Sequence, residues 1–164
     1  MKKATKIIAG VIVMFGFTLS AFSQGSATAN GNAAARIIAP ITLTAGTTLH
    51  FGTAYNSGGT VIVSTAGVRS GTCAVSASAP LHSAGTFTVT GEPSLTYTAT
   101  LPAGTINITS GANTMTVGVF NSNALGTIPV GGTETFSVGA TLTVGVGQVS
   151  GLYTGTYPVT VQYN

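Results

Sequence analysis

Apolar residues in this chain recur at every second position in short runs, and nowhere at three-and-four spacing over a helical length. The clearest runs are Ile37/Ala39/Ile41/Leu43, Val61/Val63, Phe87/Val89, Tyr97/Ala99/Leu101, Ile106/Ile108, Met115/Val117, Phe136/Val138 with Leu142/Val144, and Tyr157/Val159/Val161/Tyr163. Side chains of a strand alternate between two faces, so each run predicts a strand with one buried face. Between the runs stand Asn56-Ser57-Gly58-Gly59, Gly91-Glu92-Pro93, Pro102-Ala103-Gly104, Ser110-Gly111-Ala112-Asn113 and Gly131-Gly132. These predict turns, because Gly and Asn accept the positive φ that tight turns need. Short strands punctuated at intervals of about ten residues predict an all-β, antiparallel β-sandwich rather than a parallel α/β sheet.

The first residues follow a different pattern. Lys2, Lys3 and Lys6 precede the apolar run Ile7–Phe17, and the small-residue stretch Ala21-Phe22-Ser23 follows. A basic start, a short apolar run and small residues at the −3 and −1 positions predict a secretory signal peptide over residues 1–23, cleaved before Gln24. The apolar run is short for crossing a bilayer, which takes about 20 residues, so no membrane span is expected after processing. The order of Gly16-Phe17 and the apolar run is the reverse of a type IV prepilin site. Residues 24–35 are mostly Ala, Gly, Asn and Ser and predict a flexible N-terminal extension; the structured domain is expected over 36–164. A body of this size buries roughly two-thirds of its unfolded surface, enough for one core.

Loss of the signal removes three of the five basic residues, leaving Arg36 and Arg69 against Glu92 and Glu134, which cancel. Nucleic acid and anionic lipid are therefore not expected partners, since neither finds a positive footprint. A near-neutral surface does little to oppose self-association.

The same scarcity of charge bears on chemistry. The chain has no Asp, so paired carboxylates for acid–base work could come only from Glu92 and Glu134. Both flank Gly-containing turns and are expected to be solvated surface charges. His50 and His82 stand about thirty residues apart with no second ligand type nearby, and each is expected at a surface or strand edge rather than on a metal. Gly145-Val146-Gly147-Gln148-Val149-Ser150-Gly151 has the wrong spacing for a dinucleotide loop and is expected to be a turn between strands. Asn107-Ile108-Thr109 is a glycosylation sequon whose use a bacterial signal peptide argues against. Cys73 is alone and can form no intramolecular disulfide; Ala74 and Val75 beside it favour a buried thiol over an exposed, cross-linking one. The expectation is a protein that is not an enzyme, with no cofactor and no metal.

The end of the chain is the most informative stretch. Tyr157, Val159, Val161 and Tyr163 share one strand face, and Pro158, Thr160 and Gln162 the other. Pro158 cannot donate to a ladder, so it marks an edge strand or a strand's first residues. An apolar edge strand is ordinarily an aggregation liability; here it is a candidate assembly surface.

This segment resembles the end of chaperone–usher pilins, with a penultimate Tyr (Tyr163) and a Gly (Gly151) fourteen residues from the C-terminus. Its final strand is also similar to that of spore-coat-U-like proteins. Over nearly the whole mature length the chain resembles a secreted bacterial family known as domain of unknown function 4402. The matching stretches are Ala35-Arg36-Ile37-Ile38-Ala39-Pro40-Ile41, Gly139-Ala140-Thr141-Leu142-Thr143-Val144 and Gly155 to Asn164.

The pilin resemblance implies an immunoglobulin-like sandwich lacking one strand. It further implies a periplasmic chaperone on the C-terminal edge, then copies of the chain or related subunits joined by strand addition into a cell-surface or extracellular fibre. Ile37, Ala39, Ile41 and Leu43 are the candidate donor strand in that scheme. Alternatively, they complete their own sandwich, and the chain is a self-contained coat or matrix protein or an adhesin. The adhesin reading wants exposed loop aromatics, for which Tyr55 and Phe120 are the candidates.

Overall fold

A computed structural model describes residues 25–164. The expected signal peptide, residues 1–23, lies outside the described residues. The chain divides at Arg36/Ile37 into two units. In the first, residues 25–36 carry no regular structure and are exposed throughout.

The second unit is all-β and antiparallel, and no helix occurs among the described residues. Its strands are β1 (Thr42–Ala45), β2 (His50–Phe51), β3 (Thr53–Ala54), β4 (Ser57–Val63), β5 (Arg69–Gly71), β6 (Val75–Ser76), β7 (His82–Ser83), β8 (Gly85–Thr90), β9 (Tyr97–Thr100), β10 (Ile106–Ser110), β11 (Asn113–Ser122), β12 (Thr133–Val146) and β13 (Thr160–Tyr163). Among the described residues no helix is long and apolar enough to cross a membrane.

The fourteen-residue β12 organises the unit. One edge pairs with β11; along the other, residues 133–138 pair with β8 and 140–146 with β4. The main sheet runs β1-β8-β12-β11-β10, with β5 attached through β4, and β9 with β13 forms a separate pair. Glu134, Phe136, Val138, Ala140, Leu142 and Val144 occupy alternate positions of β12 and are all buried.

Their burial divides the core in two. Phe136 and Val138 gather with Val89, Tyr97 and Ile128. Ala140, Leu142 and Val144 gather with Phe51, Val61, Val63, Cys73 and Val117. Fully burying one such side chain contributes about 1.5–3 kcal/mol.

The hairpin expected at Ser110-Gly111-Ala112-Asn113 is present: Ser110 and Asn113 face each other across the ladder, and Gly111 adopts φ 59°. Of the turn expected at Asn56-Ser57-Gly58-Gly59, Asn56 is a turn residue, while Ser57 to Gly59 begin β4 with Gly58 and Gly59 at φ 81° and 115°. Its glycines serve close packing: a Cβ on Gly59 would lie 2.8 Å from the Cys73 backbone nitrogen. The strand expected from Ile37 begins only at Thr42. Pro40 offers no N–H and restricts the residue before it, so the ladder cannot start earlier.

Candidate functional site: an apolar seam beside the C-terminal strand

The C-terminal segment keeps its two-faced pattern whether or not it is in a ladder. Tyr157, Val159, Val161 and Tyr163 are half-buried against the Phe136 cluster, while Pro158, Thr160 and Gln162 are exposed. Only Thr160–Tyr163 pair, with Thr100 to Tyr97 of β9. Pro158 lacks the N–H that would extend the ladder backward. The Tyr157 ring tilts against Phe120 at 5.2 Å and meets Phe87 edge-on at 6.0 Å. Burial raises the Tyr157 hydroxyl above its ordinary pKa.

Gly151 and Gly155 let the preceding segment lie close on β10. A Cβ on Gly151 would stand 2.6 Å from Ser110 Oγ, and one on Gly155 2.8 Å from Ile108 Cγ2. Between them Thr154 and Thr109 exchange backbone hydrogen bonds of 2.8 and 2.9 Å. The expected turn at Gly145–Gly151 is present at Gly147 (φ 70°), but an irregular run to Val159 follows rather than an immediate strand.

The four candidate donor residues do not share one buried stripe. Ile41 and Leu43 pack on the Phe136 cluster, and β1 pairs with β8 of its own chain. Ala39 is exposed, and Ile37 is 93% exposed. Ala39 is nevertheless held at both backbone atoms. Its N–H donates to Glu92 Oε2 at 3.3 Å, and its carbonyl accepts from the Tyr163 hydroxyl at 3.0 Å. That hydroxyl accepts in turn from the Glu92 N–H at 2.6 Å.

Between Ala45–Asn56 on one side and Gln148–Tyr157 on the other runs a seam of two clefts, of about 700 and 270 Å³, with Thr48, Leu49, Gly155 and Tyr157 common to both. The larger is floored by Ile106, Ile108, Met115, Val117, Leu142 and Val144 from β10, β11 and β12. No Lys, Arg, Asp or Glu lines either cleft. Among the described residues β13 pairs only with β9, and β1 only with β8, so each presents an unpaired edge. β13 lines neither cleft and β1 reaches only the smaller one, through Ala45, but β10 in the floor of the larger ends the main sheet and bonds beyond β11 only through the Thr109–Thr154 bridge. An apolar floor offers desolvation and a strand edge offers backbone hydrogen bonds, the two components of strand recognition.

The other candidate residues fall elsewhere. Glu134 is not a solvated surface charge. It is 7% exposed, accepting from the Tyr97 hydroxyl at 2.7 Å and the Leu125 N–H at 2.6 Å. Its position in phase with Phe136 and Val138 was the available signal; proximity to Gly131-Gly132 obscured it. Burial, reinforced by the bond to Glu134, raises the Tyr97 hydroxyl well above its ordinary 10.0.

His50 and His82 lie on the paired strands β2 and β7, opposite Ser83 and Phe51 respectively, and are half-buried. His50 Nδ1 accepts from the Gly52 N–H at 2.8 Å. No group of three His, Cys, Asp or Glu stands together among the described residues. Cys73 is buried, its thiol donating to the Tyr55 carbonyl at 3.3 Å. Tyr55 is 56% exposed, whereas Phe120 is half-buried and touches both core clusters.

A family model described as "Domain of unknown function (DUF4402)" matches residues 41–163. No curated protein matches the chain, and no solved structure does.

Proposed function

Since the chain belongs to the family described as Domain of unknown function (DUF4402), which carries no activity with it, we propose its function from the seam: an exported structural subunit of a bacterial pilus or surface filament, whose copies join by β-strand addition. The seam carries the reading. Its floor is apolar, no Lys, Arg, Asp or Glu lines it, and β10, the end strand of the main sheet, lies in that floor. In this reading the main sheet and the β9/β13 pair are the layers of an immunoglobulin-like sandwich with one strand position open.

The exposed N-terminal segment suits such a seat. Ala27, Ala29, Gly31, Ala33, Ala35 and Ile37 fall on alternate positions and would share one face of a strand. Small side chains on the entering strand complement a floor of Ile, Met, Val and Leu, because close packing sets large groups against small ones. Ile41 and Leu43 are already seated in their own core, so the donor is the segment before them. Export through the periplasm, with a chaperone on the β13 edge until a second copy arrives, follows from the same scheme.

Sedimentation and electron microscopy of the purified protein over a dilution series test this, with a synthetic peptide of residues 25–41 as competitor. Concentration-dependent fibres that the peptide shortens are expected. One observation favours a second reading, a self-contained coat or matrix protein: β1 completes the main sheet from within the chain. A monomer at every concentration that ignores the peptide would establish that reading and remove the first.

A further inference from the structure

Three segments distant in sequence meet at Ala39. It lies just before β1; Glu92 sits in the β8–β9 turn; Tyr163 is in β13. Their hydrogen bonds close a ring: Glu92 N–H to Tyr163 Oη at 2.6 Å, Tyr163 O–H to the Ala39 carbonyl at 3.0 Å, and Ala39 N–H to Glu92 Oε2 at 3.3 Å. Gly91 makes room for it, since a Cβ there would overlap the Tyr163 hydroxyl. Residues 37–40 are exposed, Pro40 has no N–H, and no backbone–backbone hydrogen bond engages them among the described residues.

We propose that this ring is a clasp that holds the N-terminal segment at the edge of its own body and so sets how readily that segment is released to a second copy. The second part rests on the strand-addition reading; the first does not. The Tyr163 hydroxyl is the centre of the device, because it alone donates to one partner and accepts from the other. The Glu92 carboxylate holds the remaining atom, so both backbone groups of Ala39 are engaged and neither is offered to an incoming strand. A subunit with the clasp closed presents a tethered arm; a subunit with it open presents a free one.

Tyr163→Phe keeps the ring in its packing and deletes only the hydroxyl. Amide hydrogen exchange is read at Ala39, whose own acceptor, Glu92, is untouched by the change. Exchange about five- to thirtyfold faster is expected, the factor that one or two kcal/mol produces. Filament growth, followed by light scattering in the same samples, is expected to start sooner. Glu92→Ala, which removes the acceptor of the Ala39 N–H, should likewise speed exchange at Ala39. Unchanged exchange in both variants would overturn the clasp, and faster exchange with unchanged growth would overturn its control of release. A parent protein that never assembles would sink the filament reading instead, and the exchange rates alone would then decide whether the segment is clasped.

Discussion

Replacing Tyr97 by Phe removes one hydroxyl from the core and leaves Glu134 Oε2 without the donor that stands 2.7 Å away. Both residues are almost fully enclosed, at 2% and 7% exposure, so water cannot readily take the hydroxyl's place. A hydrogen bond to a charged group contributes about 1.5–3 kcal/mol, and leaving a buried acceptor unmet forfeits most of it. The expected loss is therefore about 2 kcal/mol. With a urea slope of about 2 kcal/mol per molar, the midpoint falls by about 1 M with unchanged slope.

Glu134→Gln provides the contrast. Its amide oxygen accepts from the Leu125 N–H in place of Oε1 and its NH₂ donates to the Tyr97 oxygen, so both contacts persist while the Tyr97 hydroxyl hydrogen loses its acceptor. This variant is expected to lose about 1 kcal/mol, less than Tyr97→Phe, because the unmet hydroxyl hydrogen is offset by replacing a buried carboxylate with a neutral group. Equilibrium urea unfolding of the parent and both variants decides the matter. A Tyr97→Phe midpoint equal to the parent's, or a Glu134→Gln loss as large as that of Tyr97→Phe, refutes the reasoning.

Three further outcomes are expected. Val119 is a β-branched residue at φ 50° and 77% exposed; relieving about 1–3 kcal/mol of strain against about 0.5–1 kcal/mol of added chain entropy, Val119→Gly should raise the melting temperature by a few degrees, and a drop would show the site unstrained. Gly71→Ala should cost more than about 2 kcal/mol, because φ is 124° and the new methyl would run into the Thr60 carbonyl; an unaltered urea midpoint contradicts this. Tyr97 and Tyr157 both have hydroxyls raised above the ordinary 10.0. The unfolded chain therefore releases these protons first, so stability is complete below pH 10 and declines above it. Equal urea midpoints at pH 9 and 11 would exclude that contribution.

Much of this architecture is legible in the residues because a two-residue period needs only local information. The alternating face of β12 and the half-buried face of residues 157–163 both follow directly from it. The Ser110–Asn113 hairpin is legible for a related reason, since two residues carry the whole turn. Gly58 and Gly59 mislead because they take the positive φ of a turn yet begin a strand, where the approach of Cys73, a distant residue, also needs the missing Cβ. Glu134 is only half concealed: its phase with Phe136 and Val138 points inward, but the donors that let the core accept it, Tyr97 and Leu125, are 37 and 9 positions away. The seam is not legible at all. It is bounded by Ala45–Asn56 and Gln148–Tyr157, which are brought to the same face only when β10, β11 and β12 have formed beneath them. The ring at Ala39 likewise joins residues 53 and 124 positions apart.

The placement of the terminal strands has a mechanical consequence. Leu43 of β1 and Val161 and Tyr163 of β13 all pack on the Phe136 cluster, and neither strand contributes to the Phe51 cluster. Tension applied at the two ends of the chain is therefore borne first by the β1–β8 and β9–β13 ladders and the side chains between them. The half built around Val61, Val63 and Leu142 lies off that line, and it would stay folded while the loaded half absorbs the pull.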